Sequence, residues 1–274
     1  MTGARNRHAD YHANPAIGGS TVATIATKSL RDALVPFGGS DAAAIGSCVD
    51  AMWTEGLAAS QVFAAPPVVN RRTKDGKAAW SAYELNARRA GLYTFDRTPN
   101  ECISRVRYAY DALCNHRRAE RMRSTSKAQE PLFWTEETPH GPIACKGLVD
   151  LLPEVDGSFD LVDLKTTTSE LDARSVRNLV LSRGYDFQLA HYRRGLIANG
   201  ITPDACFLIF AQTVEPFGVE VYEIAEQDID AADHALEAEH YPRFAAWKHG
   251  AESYTGHGYA NGGMEPAHLL NINR

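Results

Sequence analysis

The residues best suited to chemistry lie in one segment, GLVDLLPEVDGSFDLVDLKTTT, residues 147–168. Asp163 and Lys165 are two apart, so on a strand they point to the same face. Asp156-Gly157 is a strong signal for a two-residue type I′ hairpin turn, which pairs Val155 with Ser158. Counting outward from that turn, Asp150 falls opposite Asp163, and directly opposed residues have Cβ atoms ~5 Å apart on one face. Two carboxylates thus stand side by side with a lysine two residues along. Opposed like charges destabilise a sheet and raise one carboxylate's pKa. A bound divalent cation removes the conflict, and oxygen ligands suit Mg²⁺, with Mn²⁺ as a substitute. Such a metal supplies Lewis acidity and a nucleophilic hydroxide. Lys165 would orient or deprotonate the attacking water, or stabilise charge on a phosphate. A solvated hairpin could carry the same charges, but here Leu, Val and Leu flank them, and burying them without a ligand would be expensive.

A second pair lies in FQLAHYRRGL. Gln188 and Tyr192 are four apart and share a helix face. Gln188 is suited to hold a phosphate, a water or the lysine, and Tyr192 to pack on a nucleotide or support the site. Taken alone, the pair is better explained by ordinary helix packing.

The elements that must position these residues change character along the chain. Up to about residue 128 the pattern is helical. The first twenty residues read as a loosely held arm. A helix capped by Ser20 or Thr21 runs to about residue 34, and Pro36, Gly38 and Gly39 end it. Asp41 caps the next helix, with Ile45, Val49, Met52 and Trp53 at helical spacing. A proline-containing loop or edge strand follows, then helices over residues 80–90 and 99–123. After Gln129 the runs PLFWTEE, PIACKGLVDLLPEV, SFDLVDLKTTT and DACFLIFAQTV read as strands. A helix at about 185–198 precedes the last of these. A final helix covers 226–249, and a Gly- and Asn-containing tail from 250 is expected to be mobile. This order predicts one α/β domain over residues 1–274, with a helical part to about 128 and a catalytic core over 129–249.

Composition narrows the class. With 274 residues, 44% hydrophobic and 23% charged, the chain is globular in type. It holds no apolar run of membrane-spanning length, and its first residues lack the apolar core of a secretory signal. The expectation is a cytoplasmic protein without a membrane partner. Five scattered cysteines without a CxxC pair point to reduced thiols rather than disulfides, a zinc ribbon or an iron–sulfur cluster. The net charge of −6 leaves a nucleic-acid partner open, because clustering decides. Arg71, Arg72, Lys74 and Lys77 form one cationic group; Arg117, Arg118, Arg121, Arg123 and Lys127 form another. Either could bind phosphates without reading sequence.

The order Asp150, Asp163-Leu164-Lys165, Gln188-x-x-x-Tyr192 resembles the PD-(D/E)xK nuclease superfamily in its RecB-like and phage-exonuclease branch, most closely RecE-type exonucleases. Similar segments include YHANPAIGGSTVATIA, CKGLVDLL, LVDLKTT and FLIFAQTVEPFGVEVYEI, in the same order over about residues 11–224. The resemblance implies a restriction-endonuclease-like α/β core with a central mixed sheet flanked by helices. It implies a Mg²⁺-dependent 5′→3′ exonuclease acting on double-stranded DNA ends, a ring-shaped trimer or tetramer, and a RecT-type annealing protein as partner. The alternatives are a catalytically weak or inactive DNA-binding module on the same fold, and a single-strand-specific or Cas4-like nuclease without the iron–sulfur cluster. Asp150 and Asp163 match the metal ligands, the carbonyl of Leu164 a further ligand, Lys165 the catalytic lysine, and Gln188 and Tyr192 the helix motif. One departure stands out: the family's metal-ligating histidine, in a stretch like LGTAVHALL, corresponds to Asp50 in IGSCVDAMW. Aspartate is a hard ligand that suits Mg²⁺ at least as well. Gln129, Glu130 and Glu136 are candidates for the supporting residue such sites often place upstream.

Overall fold

Alternating apolar residues around the Asp156-Gly157 turn build the centre of the molecule. In the computed structural model, which describes residues 8–35, 39–96 and 98–251, both turn residues take positive φ (52° and 85°). Val155 pairs with Ser158 and Leu151 with Val162, the register that the turn chemistry predicts. The tail from 252 and the break at 36–38 lie outside the described residues.

The described residues begin with α1 (Ala9–Ala13), the short strand β1 (Ile17–Gly18), and helices α2 (Gly19–Thr27), α3 (Leu30–Leu34), α4 (Asp41–Trp53), α5 (Ala59–Val62), α6 (Lys74–Ala90), α7 (Pro99–Asn115) and α8 (Arg117–Ser124). The strands β2 (Ser126–Glu136), β3 (Ile143–Val155) and β4 (Ser158–Thr167) form an antiparallel meander. Helices α9 (Ala173–Arg183) and α10 (Tyr185–Ala198) carry the chain over to β5 (Pro203–Gln212), which pairs parallel with β4. Parallel neighbours need a crossover of this length. The strand β6 (Val219–Ile224) pairs antiparallel with β5, and α11 (Glu226–Ala235), a π-type turn at Leu236–His240 and α12 (Tyr241–Lys248) follow.

The result is a mixed sheet between two helical layers, the expected fold class. On one face Leu161, Leu208 and Phe210 pack with Val22, Leu189 and Phe244, from α2, α10 and α12. On the other, Val162, Leu164 and Ile209 pack with Val49, Val106 and Leu113, from α4 and α7. Among the described residues no helix is long and apolar enough to cross a membrane.

Several boundaries differ from expectation, each for a local reason. Of the expected loose arm, residues 1–7 lie outside the described residues, and the part around β1 is held, because Ile17 is buried and β1 pairs with Cys145 and Lys146 of β3. The helix expected to run to residue 34 breaks after Thr27, where Ser29 accepts from Asp32 N at 3.0 Å and caps α3. Ser40, not Asp41, caps α4, accepting from Ala43 N at 3.1 Å. α6 starts at Lys74 rather than 80, since Thr73 Oγ1 accepts from Gly76 N at 3.0 Å. The helix expected over 99–123 is two helices, because His116 Nδ1 accepts from Ala119 N at 3.2 Å and starts α8. Sequence periodicity did not show α9 or β6.

Candidate active site

The ladder between β3 and β4 runs from the turn to the Leu151–Val162 pair. One step further Asp150 and Asp163 face each other, and there the strands fork. The carboxylate of Asp150 accepts the backbone N–H of Leu164 at 2.8 Å. Further along the same strand, β1 pairs with β3 at Cys145 and Lys146. The fork opens a cleft in two connected parts. One, about 310 Å³, is lined by Asp150, Asp163, Leu164, Lys165, Gln188 and Tyr192, with Tyr185 and Asp50. The other, about 580 Å³, shares Asp50, Asp150 and Tyr192 and adds Gln129, Tyr11, Lys146 and the first residues of α2.

Besides β3, two helices and two strands bring side chains into the fork. Helix α4 contributes Asp50, one turn after Gly46. A Cβ on Gly46 would lie 2.7 Å from Thr166 Oγ1, so glycine there lets α4 press against β4. Thr54, the residue that ends that helix, donates its hydroxyl to the Asp50 carboxylate. Strand β2 contributes Gln129, whose Nε2 lies 3.2 and 3.1 Å from the two Asp50 oxygens and 3.4 Å from Asp150 Oδ1. Strand β4 contributes Asp163, 2% exposed, and Lys165, whose ammonium pairs with it. Helix α10 contributes Gln188 and Tyr192, joined by a hydrogen bond from Gln188 Nε2 to Tyr192 Oη at 2.8 Å. Tyr185, at the start of the same helix, places its ring 5.0 Å from the Lys165 ammonium.

The electrostatics follow from three carboxylates and one ammonium in a partly dry fork. Burial raises the pKa of Asp50 to about 6, with the charges of Glu55 and Asp163 adding to it and the Thr54 hydrogen bond opposing it. Burial also raises Asp150, and the charges of Asp50 and Asp163 push it further. Burial alone would lower Lys165, but Asp163 and Asp150 outweigh it and the pKa rises. Lys165 is therefore an ammonium in the metal-free cleft.

These donors fit a divalent cation in kind: carboxylates around a hard-oxygen site, more anionic than the one lysine can balance. They do not yet close around a point. Among the described residues no three His, Cys, Asp or Glu side chains stand together in coordinating geometry. Gln129 and Lys165 occupy the carboxylate oxygens instead.

Asp50, Asp150, Asp163, Leu164, Lys165, Gln188 and Tyr192 thus come together. Of the three upstream candidates Gln129 reaches the cleft, whereas Glu136 is bound by Arg194 at 2.9 Å and Glu130 does not line it. The cationic groups lie elsewhere: Arg71, Arg72, Lys74, Arg117 and Arg121 line neither part of the cleft. Arg71 binds Asp96 at 2.7 Å and stacks 4.0 Å from the Trp80 ring. The lysine that does line the wider part, Lys146, was not singled out; it donates to Tyr11 O at 2.8 Å and Asn14 O at 2.6 Å. Tyr185 was also missed, although its place three residues before Gln188 on one helix face was the available signal.

The chain is similar in fold to a solved protein from Eubacterium rectale described as a "Putative exonuclease", with a TM-score of 0.57 and 16% identity, covering 91% of this chain and 87% of that one. A second solved structure, SSO0001, overlaps 57% of this chain and 65% of that one at a TM-score of 0.30 and 13% identity, too little to argue from. No family model matches the sequence. No curated protein matches it either.

Proposed function

We propose that the chain is a divalent-metal-dependent exonuclease that degrades linear double-stranded DNA 5′→3′ and leaves 3′ single-stranded tails for recombination by strand annealing. The observation that carries this reading is the meeting of Asp50, Asp150 and Asp163 with Lys165 in one cleft. The fold likeness to a protein described as an exonuclease supports it, as does the order of the motifs along the chain.

In this reading Asp50, Asp150, Asp163 and the carbonyl of Leu164 hold Mg²⁺ or Mn²⁺. When bound, the ion supplies Lewis acidity and an acidified water. Lys165, charged and fixed by Asp163, meets the negative charge that builds on the phosphodiester. Gln188 and Tyr192 brace the opposite wall through their shared hydrogen bond. The resemblance to RecE-type enzymes supports the 5′→3′ polarity, a ring of three or four subunits and a RecT-type partner. It also supports a site of action in a bacterial cytoplasm.

The test is digestion of linear duplex labelled separately at its 5′ and 3′ ends, in Mg²⁺, in Mn²⁺ and in chelator, with a circular control. The expected result is metal-dependent loss beginning at the 5′ label, an intact circle, and an inactive Asp150→Ala protein. Full activity of Asp150→Ala, or digestion in chelator, would overturn the reading. A cut circle would make the enzyme an endonuclease on the same fold.

A further inference from the structure

Gln129 is a buried side chain held by a backbone that its own residue type does not favour. It is 6% exposed and takes a φ of 55° in the middle of β2. The neighbours on either side keep the strand register, Ala128 with Leu151 and Glu130 with Val149, so Gln129 falls opposite Asp150. A left-handed non-glycine residue costs about 1–2 kcal/mol. Something at this position offsets that cost.

The side chain shows what does. Its Nε2 reaches both oxygens of Asp50 and one of Asp150, at 3.1 to 3.4 Å. Ionised carboxylates only accept, so the amide NH₂ is the end that must face them. It occupies the space between two anions from different elements, which is where a cation would otherwise be needed.

We propose that Gln129 is a positioning residue that stands in for the cation: in the metal-free protein its amide bridges Asp50 and Asp150, and it withdraws when a divalent ion takes those oxygens. This rests on the reading of Asp50, Asp150 and Asp163 as the metal-holding group. It follows that Gln129 competes with the ion. The amide keeps the metal-free fork together and weakens apparent metal affinity.

The experiment is thermal melting of the full chain with chelator, Mg²⁺ or Mn²⁺, alongside calorimetric titration of each ion, for the wild type and Gln129→Met. Methionine keeps the length and loses the donors. The expected result is a lower metal-free Tm, a nearly unchanged metal-saturated Tm, and ion binding about tenfold tighter, the worth of one or two net hydrogen bonds. A smaller metal-induced rise in Gln129→Met would make Gln129 a ligand through its carbonyl. Equal shifts with and without metal would make it a structural residue. Either overturns the proposal. Should Gln129→Met not fold in chelator, refolding in Mn²⁺ decides: recovery supports the proposal and failure overturns it. A wild-type chain whose Tm no divalent ion moves would remove the metal reading itself, and this inference with it.

Discussion

Two clusters in this molecule each gather three acidic side chains around one cation, and they are satisfied very differently. In the first, Arg194 spreads its guanidinium over Glu136 at 2.9 Å and Asp233 at 3.1 Å, with Glu237 at 3.6 Å. Glu237 is 69% exposed and keeps its water, while the bidentate fork supplies directed donors to the two more buried acids. The hydrogen bond to Glu136 leads in raising the pKa of Arg194. In the second, Lys165 pairs with Asp163, while Asp50 and Asp150 meet the neutral amide of Gln129. Both of those carboxylates are pushed up by burial and by their neighbours' charge. Formal charge alone does not separate a structural cluster from a reactive one. The number of directed donors and the access to water do.

Opposite responses to substitution would sharpen that contrast. Asp150→Asn should lower nuclease activity about a thousandfold, yet leave the metal-free protein at least as stable as the wild type. Asparagine still offers an oxygen to Leu164 N–H and gives up only the longest of the Gln129 contacts, at 3.4 Å, while removing one of three crowded charges, which outweighs that loss. Urea unfolding in chelator and end-labelled digestion in Mg²⁺ check the two halves. Arg194→Ala should do the reverse: a loss of about 3 kcal/mol, because two partly buried carboxylates lose their shared partner, with activity per folded molecule near wild type. A strongly destabilised Asp150→Asn, or an inactive but stable Arg194→Ala, would break the comparison.

The same contrast explains what the sequence could and could not reveal. The Asp156-Gly157 turn and the period of two fix the hairpin register locally, so Asp150, Asp163 and Lys165 could be set beside each other by counting. Asp50 could be reached only through a resemblance to a histidine position. Its approach depends on α4 closing on β4 at Gly46 and Thr166, which are 120 positions apart in the chain. No local pattern carries a contact of that kind. Gln129 and Glu136 read alike as upstream candidates, although only Glu136 lies within the predicted run PLFWTEE. The left-handed turn at Gln129 sends one into the fork, while Arg194, 58 positions beyond Glu136, claims the other. The cationic groups stood out because they cluster in sequence, but clustering says nothing of which surface they share. Lys146 faces the cleft from within an apolar strand and gave no such signal.

Gly46→Ala tests whether that long-range contact positions the site. The added Cβ would meet Thr166 Oγ1 at 2.7 Å and force α4 away from β4. Overpacking of this kind costs about 1–3 kcal/mol, and Asp50 would move with its helix. Activity should fall more than stability explains, and Thr166→Ala in the same chain should restore part of both. Equal loss in the single and double variants would mean that α4 is placed by its apolar face instead.

The smallest expected effect is in the pH dependence of the metal-free protein. Asp50 titrates near 6 when folded, against about 3.9 for an unperturbed aspartate. Between those values the folded chain holds a proton that the unfolded chain has released. Stability from this group is therefore full below about pH 4 and is lost as pH rises through about 6. Asp150, raised in the same direction, extends the loss upward. Asparagine is neutral at every pH, like the protonated acid, so Asp50→Asn escapes that loss. The Tm difference between Asp50→Asn and wild type in chelator should be close to zero at pH 4 and open to about 3–5 °C in the variant's favour by pH 7. The difference should close again for a wild type loaded with Mg²⁺, because the ion stabilises the ionised carboxylate. A difference that stays constant from pH 4 to pH 7 would place Asp50 among ordinary solvated acids and leave the fork no more charged than the Arg194 cluster.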